Sequence, residues 1–248
     1  MKKGLDEIVV VLDRSGSMTT VWDDALGGIN SFIADQKAVP RDAHFTLVLF
    51  DHEFITFYDR ANMKHVTALT KSDYVPRGST SLLKAVSDTV DTVGKRLAAL
   101  DEAERPEKVI VAVLTDGHEN NSNTGEDAIA YSREHEEAAV ALDKLGKYTE
   151  ASELRSKYTK DKLKAQLAHQ HDVYKWEVMF LSANMDAFDE GAAMGATRSY
   201  AYTGSKIGTQ SAFMSFSENT TAYRMTGNLA KSAVIDEDEI SKKTKAKK

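Results

Sequence analysis

Short, fully apolar runs alternate along this chain with longer stretches in which apolar residues recur every three or four positions. The short runs predict strands that are buried on both faces, and the periodic stretches predict amphipathic helices. Strands that alternate with helices indicate an α/β fold with a mainly parallel sheet and right-handed crossovers. The predicted strands are residues 8–12, 45–50, 55–58, 109–114, 178–181 and 200–202.

One pair of predicted strands is too close in sequence for a crossover. Residues 45–50 and 55–58 are separated by only four residues, which favours a hairpin and therefore one antiparallel edge strand. We predict a doubly wound, mainly parallel six-stranded sheet with helices on both faces. In the strand order 3-2-1-4-5-6, the first and fourth strands are neighbours where the winding reverses, and ligands bind at their carboxyl ends.

Residues 127–172 contain no strand pattern and are rich in Ala, Glu, Lys and Leu, which predicts two helices broken near Gly146. We interpret this segment as a helical-hairpin insertion in a domain that spans residues 1–232. Its motif LGKYTEASEL faintly resembles half of a tetratricopeptide repeat, with Gly146, Tyr148 and Ala151 at helix-pairing positions. A single repeat cannot bury its own apolar face, so a surface arm is the favoured interpretation, and self-association through it stays open.

Composition narrows the classes of function. The chain has 248 residues, a formal net charge of -6 and no cysteine, so it forms no disulfide and no zinc-thiolate site, and no basic field recruits nucleic acid. No apolar run approaches the ~18 residues of a membrane span. We therefore expect a cytoplasmic protein without a membrane or nucleic-acid partner. The charged segment 233–248 is expected to be a disordered tail.

Hard oxygen donors lie at the ends of the predicted elements. Mg²⁺ prefers such donors, and Gly16 allows a loop to fold two hydroxyls toward one point. Each donor taken alone is also a common capping residue of a turn or a helix. The donors are Asp13, Ser15 and Ser17 in one loop, Thr80 in a second loop and Asp116 in a third.

In this order and spacing, the five residues resemble the metal-ion-dependent adhesion site of von Willebrand factor A domains. The pattern of that family is DxSxS, a threonine in a later loop, and an aspartate that is often followed by glycine. The matching segments are DRSGS, RGSTSLLKAV and LTDGHEN. The resemblance covers residues 5 to about 125 and resumes at Trp176. The later segments WEVMFLSANMDAF and GTQSAFMSFS are similar to small stand-alone cytosolic members of bacteria and phages, including tellurium-resistance-associated ones.

The resemblance implies a set of roles for these residues. The Ser15 and Ser17 hydroxyls would bind Mg²⁺, or Mn²⁺ or Ca²⁺ in its place. Thr80 would bind directly or through water, and Asp13 and Asp116 mostly through water. The sixth ligand would be a carboxylate from a partner protein, so the implied function is metal-dependent protein–protein interaction.

Two other classes of function stay open. A Mg²⁺-dependent phosphotransferase or phosphatase would use Asp13 as phosphoryl acceptor, but such enzymes begin DxD, and Ser15 replaces the second acid. The chain has no GxxxxGK[ST] and no GxSxG motif, and we predict no catalytic residue. The third class is a structural subunit of a phage or defence assembly. Four residues that would line the crevice are expected to be solvated loop residues: Arg14, Arg77, His118 and Glu119.

Overall fold

Six strands form one sheet with the order β3-β2-β1-β4-β5-β6. The computed structural model describes residues 1–116, 121–124, 126–183, 191, 193–202 and 205–229. Neighbouring strands are parallel except at the β2/β3 edge, which confirms the predicted doubly wound sheet with one antiparallel edge strand. The strands are β1 (Lys2–Asp13), β2 (Asp42–Phe50), β3 (Phe54–Asn62), β4 (Pro106–Thr115), β5 (Glu177–Ser182) and β6 (Arg198–Ala201).

Helices cover both faces of the sheet. The alternating side chains of β1 explain this arrangement, because Val10 belongs to one apolar cluster and Val11 to the other. On the first face, the rings of Phe32 and Phe216 stack with their centroids 4.1 Å apart. The described helices are α1 (Trp22–Ala38), α2 (Leu82–Ala98), α3 (Glu126–Glu134), α4 (Glu136–Lys144), α5 (Tyr148–Arg155), α6 (Lys160–Tyr174) and α7 (Lys206–Thr226).

The described residues between β4 and β5 contain four helices, so the prediction of two helices broken near Gly146 was wrong. Gly146 does separate α4 from α5, with a φ of +73°. A further helix begins after Thr159, whose side chain accepts a hydrogen bond from the Lys162 amide. Ala151 is buried as expected, but Tyr148 is 70% exposed and does not pair helices. Helix α6 packs against α2, and Leu163 belongs to the apolar cluster of that face.

Several predictions fall outside the described residues. The sequence also predicts a short helix over residues 187–194, and most of that segment lies outside the described residues. So do the whole tail at 233–248, His118 and Glu119. The helical spacing of apolar residues over 19–38 predicts one more helix. The structure describes that segment in full, and it begins as a 3-10 segment, Gly16–Val21, before α1. In the part of the chain that the structure describes, we find no helix with both the length and the apolarity to cross a membrane.

Candidate metal centre

The sheet brings two aspartates to the same edge. Asp13 is the last residue of β1, and Asp116 follows β4 directly. Because β1 and β4 are parallel neighbours with Leu12 opposite Leu114, their carboxyl ends lie side by side. This is the point where the winding of the sheet reverses, and it is where ligands bind in open α/β sheets.

A continuous set of oxygen contacts links the two loops. The Ser15 amide donates to Oδ1 of Asp13 at 2.6 Å, and Oγ of Ser15 lies 3.1 Å from Oγ of Ser17. The Ser17 hydroxyl then donates to Oδ1 of Asp116 at 2.7 Å. Four of the five predicted donors therefore converge, although Asp116 lies 99 residues beyond Ser17 in the chain.

The carboxylate of Asp13 is fully buried and held from several sides. Its Oδ2 accepts a hydrogen bond from the Thr115 hydroxyl at 2.5 Å, and its backbone carbonyl accepts one from the buried Tyr74 hydroxyl at 2.6 Å. Burial raises the pKa of Asp13 to about 6, against the opposing effect of the hydrogen bonds from Thr115 and Ser15. Burial also raises the pKa of Asp116, and the Ser17 hydrogen bond opposes that rise.

The loop that carries Thr80 is bonded through its backbone to the loop of Asp13, Ser15 and Ser17, which we call the serine loop. The Gly16 amide donates to the Gly78 carbonyl at 3.1 Å, and the Arg77 amide donates to the Arg14 carbonyl at 2.8 Å. Thr80 is buried two residues before α2. Gly78 has a φ of +67°, a conformation that favours glycine, and a methyl group there would overlap the ring of His52.

Arg14 is not the solvated loop residue that the sequence suggested, whereas Arg77 is exposed as expected and forms ion pairs. Arg14 is only 7% exposed, and its Nε lies 2.9 Å from Oδ2 of Asp51. Arg77 donates from Nε to the same oxygen at 2.9 Å and also pairs with Glu53. We did not predict Asp51, although it follows the apolar run 45–50 just as Asp13 follows its own run.

The donor set fits a hard divalent cation. Its hydroxyl and carboxylate oxygens are of the kind that Mg²⁺ prefers. Burial raises the pKa of Asp13 and of the partly buried Asp116, and the charge of Asp116 raises the pKa of Asp13 further. The described residues contain no group of three or more His, Cys, Asp or Glu arranged to hold a metal. A cation at this position would therefore depend on the hydroxyls of Ser15, Ser17 and Thr80.

Solved structures share this fold at low sequence identity. The von Willebrand factor domain of the type V pili tip protein Mfa5 from Porphyromonas gingivalis has 13% identity and a TM-score of 0.54, over 91% of this chain and 98% of that chain. A D319A mutant of the PilB minor pilin from Streptococcus sanguinis has 13% identity and a TM-score of 0.54, over 90% of this chain and 63% of that chain. These identities show similarity of fold alone.

The ArnB paralog VWA2 from Sulfolobus acidocaldarius has 15% identity and a TM-score of 0.48, over 86% of this chain. The present chain spans 44% of VWA2 and 63% of PilB, so each of those chains is considerably longer than the part it shares. No curated protein matches the sequence.

A sequence model of a known domain family matches most of the chain. The matched residues are 7–168, which contain the second half of β1, all of β2 to β4, the serine loop, Thr80 and Asp116. The match also extends through α3, α4 and α5. Sequence and fold therefore agree, and the chain belongs to the von Willebrand factor type A domain family.

Proposed function

We propose that this protein binds a divalent cation, preferentially Mg²⁺, and uses it to bind a carboxylate of a partner protein. Domains of this family are commonly protein-interaction modules, which supports the general class of function. The observation that carries the metal site is the contact chain from Ser15 through Ser17 to Asp116. The proposed ligand set is Asp13, Ser15, Ser17, Thr80 and Asp116.

The chain's own residues have distinct roles in this proposal. The hydroxyls of Ser15, Ser17 and Thr80 offer neutral oxygen ligands, and the two aspartates offset the positive charge. When bound, the cation supplies a positive charge that attracts an incoming carboxylate. Thr115 keeps Asp13 in place through the bond to Oδ2. Because the hydroxyl ligands are neutral, they leave the cation enough charge to hold an anionic partner.

The proposal includes a cellular setting. We place the protein in the cytoplasm, among small stand-alone members of bacteria and phages. The similarity of residues 176–188 and 208–217 to such members supports this placement. The division into a domain at 1–232, an insertion at 127–172 and a tail at 233–248 is retained as part of the same proposal.

Calorimetric titration with Mg²⁺ and with Mn²⁺ tests the metal site. We expect binding by the wild type and a loss of about tenfold or more in affinity for Ser17→Ala, because a ligand is removed. Ser17 is exposed, so the variant should fold normally. Thr20→Ala is the matched control, since Thr20 is exposed in the same segment and bonds only to the Ser17 carbonyl among the described contacts. Absence of heat with both ions, or equal heat for Asp13→Ala, would contradict the proposal.

A pull-down with and without EDTA tests the interaction itself. We expect EDTA to release a partner and Mg²⁺ to restore it, and we expect Ser17→Ala to lose it. A partner that survives EDTA and requires residues 127–172 would instead assign the interaction to the helices of that segment. Release of phosphate from a generic phosphoester in Mg²⁺ would favour the phosphatase class.

A further inference from the structure

The buried carboxylate of Asp51 connects the serine loop with the loop that carries Thr80. Asp51 follows β2 directly and is fully buried. Its Oδ2 lies 2.9 Å from Nε of Arg14, in the serine loop, and accepts a hydrogen bond at 2.9 Å from Nε of Arg77, in the Thr80 loop. The carboxylate therefore lies between two arginines, one from each loop.

The backbone around Asp51 makes the same connection. Its carbonyl accepts a hydrogen bond at 2.9 Å from the amide of Ser81, the residue that follows Thr80. The neighbouring carbonyl of Phe50 accepts one at 2.8 Å from the Arg14 amide. Oδ1 of Asp51 accepts the Glu53 amide at 2.6 Å, which holds the carboxylate in its orientation.

The buried positive charge of Arg14 is offset by the carboxylate of Asp51. Arg14 is almost completely buried, and its Nε and Nη2 have no hydrogen-bond partner among the described residues. The ion pair with Asp51 is the contact that offsets its charge, because Nε is close to the carboxylate without hydrogen-bond geometry. An uncompensated buried charge is strongly unfavourable, so loss of the Asp51 carboxylate would drive Arg14 out of its position and move the serine loop with it.

We propose that Asp51 is a positioning residue of the metal centre. Through Arg14 and Arg77 it holds the serine loop and the Thr80 loop at one separation, so that hydroxyls from both loops serve the same cation. It touches none of the proposed ligand side chains in the described contacts and acts through the two arginines. This inference rests on the proposed metal site and adds a residue that the family pattern of five positions does not contain.

The test measures the affinity of the full chain for Mn²⁺ by electron paramagnetic resonance of the free ion. We expect Asp51→Asn to lose about 10–100-fold in affinity, the usual effect of removing a group that orients metal ligands. Glu53→Gln is the matched control, because it makes the same chemical change two residues away, on an exposed side chain that also pairs with Arg77. The control should remain within about twofold of the wild type, since exposed pairs contribute little.

Two further measurements separate positioning from general stability. Thermal unfolding in EDTA reports whether each variant is folded without metal. Thr80→Val removes the hydroxyl that Asp51 is proposed to place, so in that background Asp51→Asn should cost less than about threefold in Mn²⁺ affinity, a non-additive result. A purely structural effect of Asp51 would be the same in both backgrounds.

If Asp51→Asn does not fold, Arg77→Gln replaces it, because Arg77 is half-exposed and we expect its substitution to leave the fold intact. Its expected loss of Mn²⁺ affinity is about threefold, since a half-exposed pair contributes less than a buried one. The inference is overturned if folded Asp51→Asn, or Arg77→Gln in its place, binds Mn²⁺ as the wild type does. A wild type that binds no Mn²⁺ overturns the proposed function and this inference together, which distinguishes the two failures.

Discussion

Replacing Arg224 with alanine should remove the side-chain contacts that join the end of α7 to β1. Arg224 is fully buried, and its Nε donates to Oδ2 of Asp6 on β1 at 2.9 Å. Its Nη1 donates to the Gln36 carbonyl at 2.8 Å, and its Nη2 donates to the Arg41 carbonyl at 2.8 Å. One side chain thus connects α7 with β1, with α1 and with the loop between α1 and β2.

The expected loss of unfolding free energy depends on how far the substitution leaves the Asp6 carboxylate without a partner. Breaking a buried ion pair by removing one partner costs about 3–5 kcal/mol, because the other charge stays buried without compensation. Asp6 is fully buried but keeps a second partner, since Nη2 of Arg41 lies 2.7 Å from its Oδ1. We therefore expect a loss near the lower end of that range, about 3 kcal/mol, in the free energy of unfolding of Arg224→Ala.

Urea denaturation followed by circular dichroism measures this loss. Met225→Ala is the control, because Met225 is the next residue of α7 and is 50% exposed, so its effect should be within about 0.5 kcal/mol. Arg224→Met retains the volume of the side chain and separates packing from charge. Adding Asp6→Asn to Arg224→Ala should cost less than the sum of the single variants, because the unpaired charge is then removed. A loss below about 1 kcal/mol for Arg224→Ala would refute the reasoning.

Two further predictions concern two glycines of α1 and the buried Glu7 of β1. Gly28→Ala should destabilise the fold by about 1–3 kcal/mol, because its methyl group would overlap the ring of Phe213. Gly27→Ala, on the open side of α1, should instead stabilise the fold by about 0.4–1 kcal/mol. Equal effects of the two variants in urea denaturation would contradict this prediction. Burial raises the pKa of Glu7 above its ordinary value of 4.5, against the opposing charge of Arg96, so the folded state holds this proton more tightly than the unfolded chain. The stability of the wild type relative to Glu7→Gln should therefore be greatest below pH 4.5 and fall as pH rises through the raised pKa; a difference that is constant with pH would show that burial does not act on this carboxyl.

The strands of the sheet could be predicted because their signal is local. A continuous apolar run such as 109–114 indicates a strand buried on both faces wherever it pairs, and the hairpin spacing after residue 50 predicts the antiparallel edge. The helices after β4 were harder to predict. Their breaks depend on a cap at Thr159 and on the packing of α6 against α2, which composition alone does not reveal.

The sequence by itself determined the oxygen donors of the candidate site and the strand ends that carry them. Asp13 and Asp116 each follow an apolar run, and a parallel sheet brings such ends to one edge. Only the tertiary structure decided that Arg14 is buried and that Asp51 joins it to Arg77. The reason is physical: the environment of a charged loop residue depends on which distant loops meet it, and those contacts exist only when the sheet has formed.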